Sequence, residues 1–330
     1  MSRPIVAVLF GGFSGEAAVS QASAMNVFYT IDQEKFEPYL VELDSDANWW
    51  LHHDGFRILR HHDVSKLQFV THLAQEINFE LVVNMIHGKP GESGELQQYL
   101  KLISLPYTGS GPTTMQQTFN KHVCQTILRE NNFQVAPHYT HKGEVNEHTC
   151  QKIRKLLGSK ALFVKPNSGG SSLGSGIARN DADLVRNICH ALEYDDQVII
   201  EPYLAGQEFS VGVIEYNDAI IALPITEIYS NNAFFDYNAK YEGACNEITP
   251  AKIDDHLTSK LQSIAVSVFE LFKCRNMMRM EFIYSDHELY ILDINTIPGF
   301  TDASILPQQI QAADVRPDDF VNQMIQSVLI

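Results

Sequence analysis

The chain has 330 residues, 45% of them hydrophobic, enough for two or three packed units and without the composition of a disordered chain. A formal net charge of −16 repels nucleic-acid backbones and anionic membranes, so any phosphate bound here must meet local cations in a defined pocket. Five scattered cysteines (Cys124, Cys150, Cys189, Cys245 and Cys274) include no CxxC pair, which argues against a disulfide framework or a zinc site and fits a reducing cytoplasm.

The opening MSRPIVAVLF passes straight into a strand without a cleavage signature, and no apolar run reaches membrane length, so neither export nor a membrane span is expected. Ile5 to Phe10 is a continuous apolar run ending in Gly11-Gly12-Phe13-Ser14-Gly15-Glu16, and Ala17 to Ile31 has helical composition. Strand, glycine turn and helix begin a doubly wound α/β unit. The turn is not a dinucleotide fingerprint, because Phe10 stands where GxGxxG needs glycine. Glu16 has two readings, a first-turn carboxylate favoured by the helix dipole or a partner for a substrate ammonium. Phe36 to Leu43 and Phe79 to Met85 read as strands of the same sheet, the second running into His87-Gly-Lys-Pro-Gly-Glu-Ser-Gly94 and a helix over Glu95 to Ile103. His87 is either a satisfied core histidine or a functional one, since two glycine loops reach one sheet edge. The loop lacks GK[ST] and is no P-loop. Leu105 to Pro112 is dense in turn residues and marks a domain boundary.

Thr113 to Glu130 reads as one amphipathic helix carrying Lys121, followed by a variable polar segment to about residue 159. Ala161 to Lys165 is a short strand, and Pro166 to Gly176 is a glycine- and serine-rich hairpin able to lay backbone amides on phosphates. Gln197 to Glu201 is the next strand, with Glu201-Pro-Tyr-Leu204 a connection between domains. Strands follow at Phe209 to Ile214 and Ile220 to Leu223. A polar excursion from Glu227 to Glu247 is long enough to be functional, and Leu257 to Phe272 is helical.

The chain then reaches Arg279 to Ser304, a hairpin with apolar residues on one face and Arg279, Glu281, Asp293 and Asn295 on the other. A two-residue turn at Asp286 and His287 puts Glu281 opposite Leu292. A three-residue loop through Glu288 puts it opposite Asp293 and also pairs Met280 with Ile294, Phe282 with Leu292 and Tyr284 with Tyr290, so the apolar pattern selects the longer loop. Two carboxylates and an amide oxygen then share a surface and suit Mg2+, which leaves coordination positions to water and phosphate. A plain solvated face with an Arg–Glu pair is the alternative, and the turn Asn295 to Thr301, exposing amides just beyond these ligands, favours the metal.

In this order LFGGFSGEAAVS, HGKPGESG, PYTGSG, VKPNSGGSSLG, EPYLAGQEF, FFDYNAKY and RMEF with LDINTIPGFTDAS resemble the D-alanine:D-alanine ligases of the ATP-grasp superfamily, over nearly the whole chain. The resemblance implies an α/β three-domain ATP-grasp fold, with a doubly wound parallel-sheet domain over 1–112, a central subdomain over 113–204 and a C-terminal one over 205–330. It implies ATP-dependent joining of two D-alanines through D-alanyl phosphate for peptidoglycan precursors, in a cytoplasmic enzyme, commonly a homodimer, with no nucleic-acid or membrane partner. By matching motif, Lys121 and Lys165 would neutralise ATP phosphates, Glu201, Leu204 and Glu208 would hold adenine and ribose, and Ser172 with Lys240, from the loop that closes over the site, would complete the nucleotide contacts. Glu281, Asp293 and Asn295 would hold two Mg2+ ions, with Mn2+ the alternative. Glu16, supported by His87 and Ser171, would take the first substrate's ammonium, Arg279 and the Gly299 amide the oxyanion, and Ser304 with Ile305 the second amino acid. Tyr241 would reach Ser171 as the long loop closes.

Ser168-Gly169, Asn120, Glu281 and Ala17 depart from the commonest pattern. Phe300 to Ala303 replaces a Met-Thr-Ser-His-like run, so Phe300 is expected to reshape the second-substrate pocket, leaving D-serine, D-lactate or another small amino acid as alternatives. A catalytically silent nucleotide-binding protein is the reading from another class. Retention of the metal-ligand set, both phosphate lysines and Arg279 speaks against it.

Overall fold

The computed structural model describes residues 3–53, 56–60, 68–70, 76–230 and 245–329. An apolar run can be unbroken where both faces of its strand are covered, and β1 (Ile5–Gly11) is such a strand. Val6, Val8 and Phe10 pack under the helix α1 (Ala17–Thr30) and the C-terminal helix (Pro317–Leu329), while Ala7 and Leu9 pack under α2 (Glu95–Leu102). β1 pairs in parallel with β2 (Glu37–Leu43). Two strands that the sequence reading missed, β3 (Trp49–His53) and β4 (Phe56–Arg60), extend the sheet antiparallel beyond β2, and a separate pair joins β5 (Gln68–Val70) to β6 (Glu76–Asn78). On the other side of β1 lies β7 (Leu81–Asn84), also parallel to it. The doubly wound expectation holds, and both glycine loops leave the carboxyl ends of β1 and β7.

The stretch read as one helix over Thr113 to Glu130 is two, α3 (Pro112–Phe119) and α4 (Lys121–Glu130). Asn120 separates them in an extended conformation, and its side-chain oxygen accepts from the Val123 N–H at 3.0 Å as the cap of α4. Amphipathic period alone does not register this break, because the apolar face is continuous across it. The break makes Lys121 the first residue of α4.

The polar segment beyond α4 contains β8 (Tyr139–His141) and α5 (Glu147–Leu157). β8 joins β9 (Leu162–Pro166), β10 (Gly176–Ala178) and β11 (Val198–Pro202) in a four-stranded sheet of order β10-β9-β11-β8, backed by α5 and α6 (Asp181–Ala191). The glycine-rich hairpin links β9 to β10. The last sheet has six strands: β12 (Gln207–Tyr216), β13 (Ala219–Ala222), β14 (Thr226–Ser230), β15 (Cys245–Ile248), β16 (Met277–Ser285) and β17 (Glu288–Asn295), with α7 (Asp255–Leu271) packed on it. The excursion expected over Glu227 to Glu247 therefore begins and ends in paired strands, and 231–244, with Lys240 and Tyr241, lies outside the described residues. Helices α8 (Ile305–Ala312) and α9 (Pro317–Leu329) return the chain to the first sheet, where Phe300, Leu306 and Phe320 share one core with Val8 and Val83.

The β16–β17 hairpin keeps Glu281 opposite Asp293 and Met280 opposite Ile294, but by another route than the three-residue loop. The turn is Asp286-His287, both at positive φ (50° and 64°), a two-residue hairpin turn matched to strand twist. A bulge after Glu281 then absorbs Leu292 and restores the register. Phe282 consequently pairs with Ile291 and Tyr284 with Leu289, not with Leu292 and Tyr290. Leu289, Ile291 and Ile294 face the core, and Leu292 turns to the opposite surface.

Asn120→Ala should destabilise the protein by about 1 kcal/mol in urea melts through loss of the α4 cap, and Asn120→Asp should retain wild-type stability.

Candidate active site

The site is assembled at the carboxyl ends of β1 and β7. The two loops there are bound to one another: the Phe13 N–H donates to the Lys89 carbonyl at 2.7 Å and the Ser14 hydroxyl to the His87 carbonyl at 2.8 Å. Gly88, at φ 69°, must be glycine, since a Cβ would lie 2.6 Å from Ser14. Glu16 occupies the N-cap position of α1, yet no side-chain cap bond is made among the described residues. Its carboxylate instead accepts from the Ser171 hydroxyl, and a Cβ on Gly170 would come within 2.7 Å of it. The glycine-rich hairpin thus closes against the first helix. Ser171 and Ser172 both adopt left-handed backbone (φ 52° and 56°), a strain on the order of 1 kcal/mol each that is common where a loop is shaped for a ligand. The hairpin's base is held by α4, whose Lys121 and His122 N–H groups donate to Asn167 at 2.9 Å.

Two cations face the paired carboxylates. Lys121 Nζ lies 3.1 Å from Asp293 Oδ2 and 3.0 Å from the Gly169 carbonyl, and Arg279 Nη1 lies 2.8 Å from Glu281 Oε1 and 3.2 Å from Ser210 Oγ. Burial disfavours both charges, but the neighbouring carboxylates outweigh it and hold both groups above their ordinary range. Asn295 Oδ1 accepts from the Ile297 N–H at 3.0 Å, which fixes the amide beside them. Among the described residues no three His, Cys, Asp or Glu side chains form a closed metal cage. Glu281, Asp293 and Asn295 offer hard oxygens with much of the coordination left open, a set that fits Mg2+ completed by water and phosphate.

Two cavities meet at this point. One, about 1200 Å3 of space open to solvent, is lined by Glu16, His87, Arg279, Gly299 and Ser304. The other, about 890 Å3, is lined by Lys165, Ser172, Glu201, Leu204 and Glu208, with Phe163, Ile283 and Leu292 forming apolar walls. Lys121, Gly169 to Ser171, Glu281 and Asp293 belong to both. Lys165 reaches Glu201 at 3.0 Å in a buried ion pair, and Gln125 also donates to Glu201.

Phe300 apart, the expected site residues within the described chain line one of the two cavities; Lys240 and Tyr241 lie outside the described residues. Phe300 corrects an expectation. It is 1% exposed, stacked against Phe320 in the core, and lines neither cavity, because the preceding turn sends it inward. Thr301 and Ala303 face the first cavity instead. His87 is buried and also lines the first cavity. Its Nε2 meets Ser23 Oγ at 3.3 Å and the ring makes a backbone hydrogen bond with Ile297, while burial pushes its pKa down to about 4.

Several lining residues escaped the sequence reading. Glu92 accepts from the Gly88 N–H at 2.7 Å, and burial together with the Glu16 charge raises its carboxyl well above the usual range. Its place in the second glycine loop was the available signal. Glu247 also lines the first cavity, and Ile283 and Leu292 line the second. Nothing short of the bulge announces Leu292.

A doubly wound α/β unit followed by two sheets that grip a cleft from either side, with a glycine-rich hairpin over two lysines and paired carboxylates, defines the ATP-grasp class of fold. Sequence profiles described as D-ala D-ala ligase N-terminus and D-ala D-ala ligase C-terminus match residues 5–110 and 128–326. The chain is 39% identical to the D-alanine--D-alanine ligase of Flavobacterium johnsoniae, covering 97% of this chain and 98% of that one. It is 36% identical to that of Porphyromonas gingivalis, covering 96% and 94%. Among solved structures, the D-alanyl-alanine synthetase A of Vibrio cholerae superposes with a TM-score of 0.89 at 24% identity, covering 100% and 99%. The VanG D-Ala:D-Ser ligase of Enterococcus faecalis does so with 0.85 at 26%, covering 100% of each chain. The chain belongs to the D-ala D-ala ligase family of enzymes.

The folded protein holds His87 neutral down to about pH 4, whereas an unfolded histidine protonates near 6.5. The unfolded state therefore gains a proton first as pH falls through that window, and folding stability drops by up to about 3 kcal/mol from this group. Urea melts between pH 7 and 4 should show a shallower acid decline for His87→Gln than for wild type.

Proposed function

We propose that the enzyme joins two D-alanine molecules at the expense of ATP, giving D-alanyl-D-alanine, ADP and phosphate. The observation that carries this reading is the junction of the two cavities at Lys121, the glycine-rich hairpin and the Glu281–Asp293 pair. A triphosphate in the second cavity would present its terminal phosphate there, to a carboxylate held in the first. The apolar slot of Phe163, Leu204, Ile283 and Leu292 suits a purine, and Glu201 and Glu208 supply acceptors for its amine and the ribose hydroxyls. Lys121, Lys165 and the amides around Ser172 meet phosphate oxygens. We divide the chain near residues 112 and 204 into substrate, central and C-terminal units, a reading supported by the separation of its three larger sheets.

Glu16 binds the ammonium of the first D-alanine at the end of α1, so its carboxylate points toward the junction. Phosphoryl transfer to that carboxylate releases ADP and leaves D-alanyl phosphate. Glu281, Asp293 and Asn295 would hold Mg2+, which neutralises phosphate charge when bound; Mn2+ has the same ligand preferences, and two ions are expected. The amine of the second D-alanine, seated by Ser304 and Ile305, attacks the acyl carbon, and the oxyanion formed there accepts from Arg279 and the Gly299 N–H. Such preorganised donors are typically worth about 3 to 4 kcal/mol each. Collapse expels phosphate and the new amide nitrogen loses its proton. Lys240 and Tyr241 belong to the segment proposed to close over the cleft and exclude water. The Thr301 hydroxyl beside the second-substrate position favours one further reading, acceptance of D-serine in place of the second D-alanine.

Incubation with ATP, Mg2+ and mixed D- and L-amino acids should yield D-alanyl-D-alanine as the main product by mass spectrometry; a dominant mixed product would overturn the assignment of the second substrate. Asp293→Ala should fold as wild type by circular dichroism and lose Mg2+-dependent ADP release by at least a hundredfold, and wild-type turnover in this variant would contradict the metal assignment.

A further inference from the structure

The turn that carries Gly299 is held from outside its own sheet. Ser23 and Asn26 stand three residues apart on α1, one helical turn on a single face. Ser23, fully buried, accepts from the Phe300 N–H at 3.0 Å, and Asn26 Nδ2 donates to the Phe300 carbonyl at 2.8 Å. Both backbone groups of Phe300 are thereby taken by one helix, while its ring is stacked on Phe320 at 6.2 Å between centroids. Three residues upstream, Ile297 bonds to the His87 ring, and that ring meets Ser23. A neutral imidazole has one N–H and one lone pair. The arrangement that satisfies every group has the Ser23 hydroxyl donating to His87 and the ring N–H donating to the Ile297 carbonyl.

The peptide between Pro298 and Gly299 lies between these two held groups. Its neighbour on one side carries the Ile297 carbonyl, and its neighbour on the other carries the Phe300 N–H. Pro298 has a ring-fixed φ, which leaves the conformationally free Gly299 as the main source of slack. We propose that Ser23 and Asn26 are positioning residues for the ligation step, gripping the backbone of Phe300 from helix α1 and so setting the direction of the Gly299 N–H. The inference rests on the ligase reading above, in which that N–H receives the oxyanion. It assigns to the substrate domain a second task, aligning a catalytic amide of the C-terminal domain.

Because the Gly299 amide acts after phosphoryl transfer, the two half-reactions separate this role from a general loss of structure. In single-turnover rapid quench with ATP, Mg2+ and D-alanine, Ser23→Ala and Asn26→Ala should form ADP within about threefold of the wild-type rate. Dipeptide formation should fall ten- to a hundredfold. Asn26 is only half-buried, so Asn26→Ala tests the idea even if Ser23→Ala folds poorly. Equal decline of ADP and dipeptide in Asn26→Ala, or wild-type rates of both, would overturn the proposal. Asp293→Ala in the same assay guards the underlying reading: undiminished dipeptide there defeats the ligase mechanism itself, whereas its loss beside a wild-type Asn26→Ala defeats the positioning role alone.

Discussion

Glu281 and Asp293 lie opposite one another on neighbouring strands, with a partly buried cation on each. Two carboxylates this close repel, and partial burial strengthens the repulsion. Arg279 relieves it from two residues away on the same strand. Lys121 does so from the first turn of α4, 172 residues earlier in the chain. The same cations suit an incoming phosphate, so the resting arrangement already balances the charges that the reaction brings together. In a chain of net charge −16, and in a cleft lined by more carboxylates than cations, Lys121, Lys165 and Arg279 are the local positive charges that a polyanion can meet.

The cleft is also where the three sheets are mechanically joined. Ser171 of the hairpin bonds Glu16 of the first unit, Lys121 bonds the hairpin at Gly169, and Ser23 and Asn26 hold the turn after β17. The core follows the same logic, since Phe300, Leu306 and Phe320 complete the hydrophobic face of the first sheet. Reactive groups contributed by separate units are therefore aligned by contacts that also bury apolar surface. Binding energy need not be spent on assembling them from a loose state.

Much of this was legible in one dimension. Alternation on β16 and β17 put Glu281 beside Asp293 because core-facing residues leave few registers open. Glycines at 11, 12, 88 and 91 announced loops at the carboxyl ends of β1 and β7, and the glycine-serine run after Lys165 announced the hairpin. Other features had no local signature. The two-residue turn and the compensating bulge yield the same Glu281–Asp293 pairing as a three-residue loop, so the pattern could not separate them, and Leu292 was assigned to the wrong surface. Phe300 was read as a pocket residue because its sequence neighbours are, although the turn sends it to the core.

What the sequence determined by itself is the chemistry available: which acids, bases and amides exist, the order of strands and glycine loops, and the family to which that order belongs. These depend on residue type and short-range period, which a chain carries without folding. The tertiary structure alone decided which groups meet. It broke a continuous amphipathic stretch to aim Lys121, turned Glu16 from capping its helix to bonding a serine 155 residues away, and gave His87 its neutral state by enclosing it. Each of those outcomes depends on desolvation and on contacts between distant segments, quantities that have no value until the chain is packed.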